Sequence, residues 1–385
     1  MACKKPYNPP AIITPGSYLV VEGVINTGTD TTIIKLSHTV NIASKMTANP
    51  VHLAILTIES DNNSIYPLTE ATKGNYVSAG LNLDNARKYR LRIKIGNEQY
   101  LSDFVPVKNA PPIDTVNYII QGNGVAINVS AHDPNNNTKY YRWDFQETWI
   151  FHSNYFSGYK SNGDTVIERD LKNDNIYQCW GNNASSTIII GSSAKLTKDV
   201  IANDPVTFVS STSEKLSSKY SINVRQYALT SDAYAFWANL KTNTEQLGSI
   251  FSAQPTQNNG NIHSVSNSVE PVIGYISAGS VSSKRIFISN QQIPAWQSTP
   301  VYSNCMLDSL YLQFLPPGGF VVVNQENQYF NYNKGAKYNN LLIPVGAISV
   351  IPVIGPEKVI GHTGASPECV DCTLRGTNKE PSFWQ

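Results

Sequence analysis

Lys219-Tyr-Ser-Ile-Asn-Val-Arg-Gln-Tyr-Ala-Leu229 runs directly into Thr230-Ser-Asp-Ala-Tyr-Ala-Phe-Trp-Ala-Asn-Leu-Lys-Thr-Asn-Thr-Glu-Gln-Leu-Gly248. The first segment alternates with period two. Ile222, Val224 and Ala228 share one face, and Arg225, Tyr227 and Leu229 share the other. Such alternation specifies a strand. The second segment switches to the helical period: Ala233, Trp237, Leu240 and Leu247 form one stripe, with Phe236 flanking it. Thr230 or Ser231 can serve as N-cap, Asp232 suits the positive end of the helix dipole, and Gly248 suits a left-handed stop. Burial of Phe236, Trp237 and Leu240 contributes roughly 1.5–3 kcal/mol per side chain. No other segment carries a comparable helical pattern, so the chain reads as mainly β with one inserted helix over 231–247.

Outward from this stretch, the most strand-like segment is Lys139 to Phe151. Tyr141, Trp143, Phe145 and Trp149 face one way with Glu147 among them; Arg142, Asp144, Gln146 and Thr148 face the other. A carboxylate on an aromatic face needs a partner or an upward pKa shift. Arg225 is the candidate partner, which predicts a buried Glu147–Arg225 ion pair. Upstream, short strands recur at Tyr18 to Ile25, Thr32 to Leu36, Val51 to Ile58, Tyr76 to Ser78, Tyr89 to Ile95 and Tyr100 to Val105. Turns at Asp61-Asn-Asn-Ser64 and Gly96-Asn97 separate them. That spacing, without helices, predicts a β-sandwich of about 100 residues.

The pattern of Gly23-Val24, Leu53-Ala-Ile-Leu-Thr-Ile58, Gly74-Asn-Tyr76 and Tyr89-Arg-Leu-Arg-Ile93 resembles the immunoglobulin-like Cna-B or carboxypeptidase-regulatory module. Three parts are therefore expected: a Pro-rich tether over 1–14, an immunoglobulin-like sandwich over 15–110, and a larger β-sandwich-type domain over 111–385. The Asn109-Ala-Pro-Pro112 linker joins the last two, and the Pro-, Gly- and Tyr-rich region from Gln291 onward reads as loops and short strands.

Composition narrows the function. Lys plus Arg is 29 and Asp plus Glu 28, so no charge excess points to nucleic acid. No apolar run is long enough for a transmembrane helix. Of five cysteines, Cys3 stands alone, and Cys179, Cys305, Cys369 and Cys372 form an even set expected to make two disulfides that pin the tail, in an order the sequence leaves open. Cys369-Val-Asp-Cys372 is only half of a zinc motif, so no metal is expected there. Asp133-Pro-Asn-Asn-Asn137 has the first spacings of a calcium loop but lacks its glycine and bidentate glutamate, and reads as a turn. No nucleophile elbow, zinc-protease motif or phosphate loop is present, so neither catalytic residues nor a cofactor are assigned. Met-Ala before Cys3 is too short for a signal peptide; the expectation is a trimmed precursor with Cys3 as a lipidated first residue. The amide-rich loop Gln254 to His263 is the candidate partner-contact segment, through Asn258, Asn259, Asn261 and His263, with part of the Pro316-Pro-Gly-Gly319 turn.

Tyr140-Tyr-Arg-Trp143, Glu147-Thr-Trp149, Cys179-Trp180, Val224-Arg-Gln-Tyr227, Ala233-Tyr-Ala-Phe-Trp237, Gly260-Asn-Ile-His263, Val272-Ile-Gly-Tyr275 and the terminal Cys369-Val-Asp-Cys372 to Pro381-Ser-Phe-Trp384 together resemble one family. It is the Bacteroidetes lipoprotein family catalogued as domain of unknown function 4249. The resemblance implies a protein lipid-anchored to the outer membrane, on the cell-surface or the periplasmic side, partnered with a TonB-dependent transporter-like barrel. It brings no catalytic residues. The expected role is an accessory subunit that docks on the barrel or captures substrate. The alternatives are a stand-alone module for a glycan or peptide ligand, and a secreted hydrolase that would need two close carboxylates in a cleft.

Overall fold

The computed structural model describes residues 18–40, 49–245, 260–267, 269–330, 341–352 and 354–385. Its first body is built by period-two burial along β1 (Leu19–Asn26), β2 (Thr32–His38), β3 (Ile55–Ser60), β4 (Ile65–Thr72), β5 (Asn75–Ser78), β6 (Lys88–Ile95), β7 (Glu98–Ser102) and β8 (Val105–Pro106). Leu19, Val21, Ile34, Leu36, Leu56, Ile58, Leu91 and Ile93 point inward and share one core. β4 pairs with β3 in its first half and with β5 in its second. One strand thereby passes between the two layers and makes the sheet continuous around its core, as a β-sandwich.

The second body comprises β9 (Ile113–Gln121), β10 (Gly124–His132), β11 (Tyr140–His152), the hairpin β12 (Tyr159–Ser161) and β13 (Val166–Glu168), then β14 (Gln178–Ala184), β15 (Ile189–Ser192), β16 (Val200–Ser210) and β17 (Lys219–Ala228). Then come α1 (Ser231–Glu245), β18 (Ile262–Ser264), β19 (Ser277–Gly279) and β20 (Val281–Ser289). A three-stranded sheet β16-β10-β9 packs on a sheet ordered β14-β11-β17-β20, with β15 also on β11. Val125, Ile127 and Val129 of the first meet Tyr141, Trp143, Phe145, Ile222 and Val224 of the second. Thr230 caps α1, its hydroxyl accepting from the Ala233 N–H at 3.2 Å. Within α1 only Ala233 and Phe236 are buried. Trp237 is half-buried, so the helix lies on the surface of the sheet. Leu247 and Gly248 lie outside the described residues.

The described residues 260–267 and 269–279, which the sequence reading put with 111–385, pack into the first sandwich. β18 adds to β7, β19 runs parallel to β1, and Ile262, Val272, Ile276 and Ala278 enter that core. At the return crossing a Cβ on Gly279 would lie 1.8 Å from the Lys108 carbonyl oxygen, so only glycine passes there. The chain then enters β20 on the edge of the second body, and the two sandwiches are tied by several crossings of the chain.

The C-terminal region holds a third sheet, β21-β23-β22, with β21 (Asp308–Tyr311), β22 (Ile343–Val350) and β23 (Lys358–Ala365), and the short helices α2 (Gln325–Tyr329) and α3 (Pro367–Val370). Disulfides Cys179–Cys372 and Cys305–Cys369 join this region to β14 and to the segment before β21, across 193 and 64 residues of chain. The order the sequence left open is thus assigned. Closing such loops restricts the unfolded chain, and each bridge is expected to contribute about 2–4 kcal/mol. A non-reduced proteolytic digest should yield 179–372 and 305–369 linked peptides and no other pair. Replacing Cys179 and Cys372 together by Ser should lower the unfolding free energy by about 2–4 kcal/mol in a denaturant titration.

Candidate functional site

β11 and β17 pair without a bulge, with Trp143 opposite Gln226, Asp144 opposite Arg225 and Glu147 opposite Ile222. Directly opposed residues share a face. The inner face therefore carries Trp143, Phe145 and Glu147, and the outer face carries Arg142, Asp144, Gln146 and Arg225. This register overturns the expected Glu147–Arg225 pair, because the two side chains leave opposite sides of the sheet. Arg225 Nε instead donates to Asp144 Oδ1 at 2.5 Å, and the Tyr227 hydroxyl donates to Asp144 Oδ2 at 2.8 Å. Glu147, only 3 % exposed, accepts from Tyr220 Oη at 2.6 Å, Lys215 Nζ at 2.5 Å and Asn183 Nδ2 at 3.3 Å. Its partners among the described residues are a cation, a phenol and an amide.

The outer face carries polar and charged side chains from three adjacent strands. α1 closes one end: Arg142 is held between the rings of Tyr227 and Trp237, 4.5 Å from each centroid. Burial pushes the Arg142 guanidinium below its usual pKa, against the opposing pull of Tyr227 and Asp144. Pro381 to Gln385 closes the other end. Phe383 lies over Arg285 at 3.6 Å, Trp384 packs edge-on against Trp180 and Phe287, and Lys219 donates to the Gln385 carbonyl. Between these walls the register lines up Gln146, Asn223 and Arg285 across three strands. The sequence reading placed Arg142, Asp144 and Gln146 on one face but did not assign them a site; the two walls come from remote segments.

A second surface is apolar. Phe314 and Val323 pair across a loop whose tip includes Pro316-Pro-Gly-Gly319, and Val350 pairs with Lys358 at the base of the β22–β23 hairpin. β21 ends beside Gly361 and β22 ends beside Lys358, so both tips leave the same end of the third sheet. Phe320 is 100 % exposed, Ile354 92 %, Ile351 84 % and Val321 71 %. Large exposed apolar side chains on two tips at one end of a sheet make that end a candidate contact surface.

The other expected site residues are distributed as follows. Cys3, Asn258 and Asn259 lie outside the described residues. Asn261 is buried and clamps Ile276, donating to its carbonyl at 2.9 Å and accepting from its N–H at 2.8 Å. It is a structural residue of the first sandwich and not part of a partner-contact surface, because both ends of its amide are spent inside the core. His263 is exposed on β18, 3.6 Å from Asp103. Asp133 accepts from the N–H groups of Asn135, Asn137 and Thr138, which makes its loop a self-satisfied turn. No group of three or more metal-ligating side chains occurs among the described residues, and no described helix is long and apolar enough to cross a membrane.

A model of the family described as Domain of unknown function (DUF4249) matches residues 4–285. No curated protein matches the chain.

The sheet's tyrosines make its stability sensitive to alkali. Burial, then the charge of Glu147, raises the Tyr220 phenol well above its ordinary value. Burial, then Asp144, does the same to Tyr227, and burial with the Asp199 hydrogen bond does so to Tyr141. The folded chain thus keeps protons that the unfolded chain releases above pH 10. The resulting stability is complete below that pH and is lost as pH rises toward the folded values. Phenolate absorbance from these residues should rise together with the loss of near-ultraviolet circular dichroism above pH 10, not ahead of it.

Proposed function

The chain belongs to the family described as domain of unknown function 4249, and from that premise we propose that it is an outer-membrane lipoprotein that docks on a TonB-dependent transporter-like barrel and captures substrate for it. Lipid on Cys3 would hold it to the membrane, each buried CH₂ contributing about 0.8 kcal/mol, and the Pro-rich segment behind it would let the sandwiches stand clear on the cell-surface side. The observation that supports docking is the pair of apolar tips at one end of the third sheet. Phe320, Val321, Ile351 and Ile354 lie outside every core. Covering them on a partner would remove apolar surface from water at roughly 25 cal/mol per Å². The outer face of the second sandwich is left free for the capture role.

Phe320→Asp with Ile354→Asp tests the reading. Both positions are solvent-exposed, so unfolding free energy should change by no more than about 0.5 kcal/mol. Recovery of the barrel with the affinity-tagged lipoprotein from detergent-solubilised outer membranes should fall several-fold. Wild-type recovery of the barrel by the doubly substituted chain, with the fold intact, would rule out docking through these tips.

A further inference from the structure

Two guanidinium groups on the outer face of the β14-β11-β17-β20 sheet are fixed in place, and neither is in ion-pair contact with a carboxylate among the described residues. Arg142 is clamped by Tyr227 and Trp237, and its Nε is buried without a hydrogen-bond partner. Arg285 lies on Phe383 and donates only to the Ser221 hydroxyl, at 3.0 Å. Asp144 and Glu22 both attract Arg142 from a distance, but Asp144 is already taken by Arg225 and Tyr227, and Glu22 forms no ion pair with Arg142. A half-buried cation without a directly paired carboxylate costs free energy. Holding two of them on rigid aromatic supports suits a surface that receives negative charge from outside, since little side-chain freedom remains to be lost on binding.

The sheet sets the distance between them. Arg285 is aligned with Asn223 and Gln146, two strands away from β11 and four residues beyond Arg142 along it. Strand spacing and rise then put the two Cα atoms about 16 Å apart. The floor between them offers the amides of Gln146 and Asn223 and the neutralised Asp144–Arg225 pair. Tyr227, Trp237 and Phe383 each already carry a guanidinium on a ring face. They are poorly placed to stack a sugar ring. Amide side chains, by contrast, offer one donor group and one acceptor in the arrangement a peptide backbone needs. An extended chain rises about 3.3 Å per residue.

We infer that this face binds an extended acidic peptide whose two carboxylates, four or five residues apart, pair with Arg142 and Arg285. Resting on the capture half of the reading above, this site shares no residue with the docking tips, and the test uses the isolated chain with no barrel present. Isothermal titration of the purified protein at low salt compares the peptide Ser-Glu-Ser-Thr-Ser-Glu-Ser with its Gln-for-Glu counterpart and with an oligogalacturonate. The acidic peptide should bind at least about tenfold more tightly than the Gln peptide, and added salt should weaken it. Arg285→Gln should lose about tenfold in affinity with an unchanged melting temperature, and Arg142→Gln the same if Trp237 keeps its packing. Equal or absent binding of the two peptides, wild-type affinity in Arg285→Gln, or binding of the oligogalacturonate in place of the peptide would each overturn the assignment.

Discussion

The register of β11 against β17 is the constraint on which the second sandwich depends. Because side chains alternate along a strand, one slip would exchange every inward residue for an outward one. In the observed register Tyr141, Trp143 and Phe145 are sealed against Val125, Ile127 and Val129. Trp143 also donates its indole N–H to Gln226 Oε1 at 2.8 Å, and Gln226 Nε2 donates onward to the Pro111 carbonyl at 2.8 Å. A buried indole and a buried amide are satisfied together only when these residues stand opposite each other, so polar chemistry reinforces what hydrophobic burial selects.

The same register distributes charge. Glu147 is drawn inward and met by Lys215 and Tyr220, while Asp144 is turned outward to Arg225 and Tyr227. Each side of the sheet thus has its own carboxylate and its own partners. What remains on the outer side is an excess of guanidinium over carboxylate, bounded by a helix from the middle of the chain and by Pro381 to Gln385. The second of these walls is anchored nearby, because Cys372 is joined to Cys179 of β14 and Thr377 exchanges backbone hydrogen bonds with Trp180.

Much of this was legible in the sequence. Period-two alternation in Tyr140 to Phe151 and Lys219 to Ala228 identified both central strands and sorted their faces. The switch of period at Thr230 located the helix, and the even cysteine set announced two bridges. The face assignment already placed Arg225 apart from Ile222 and Val224; pairing it with Glu147 ignored that parity. Other features are set by contacts between distant segments. Nothing local to Ile262 or Ala278 says that they belong to the first core, since short strands on a sheet edge carry too few residues to show a period. The third sheet was hidden by Pro344, Gly346 and Gly361, which break alternation in strands of few residues. The stacking of Arg142 under Trp237 and of Arg285 under Phe383 likewise depends on tertiary placement.

A double-mutant cycle on the central register measures the account most directly. Asp144→Asn and Arg225→Gln, singly and together, should show a coupling of about 0.5–1 kcal/mol in unfolding free energy, the magnitude of a partly exposed ion pair. Glu147→Gln combined with Arg225→Gln should be additive within about 0.3–0.5 kcal/mol. Coupling between Glu147 and Arg225, with additivity between Asp144 and Arg225, would place the arginine on the inner face and contradict the register from which the outer surface is built.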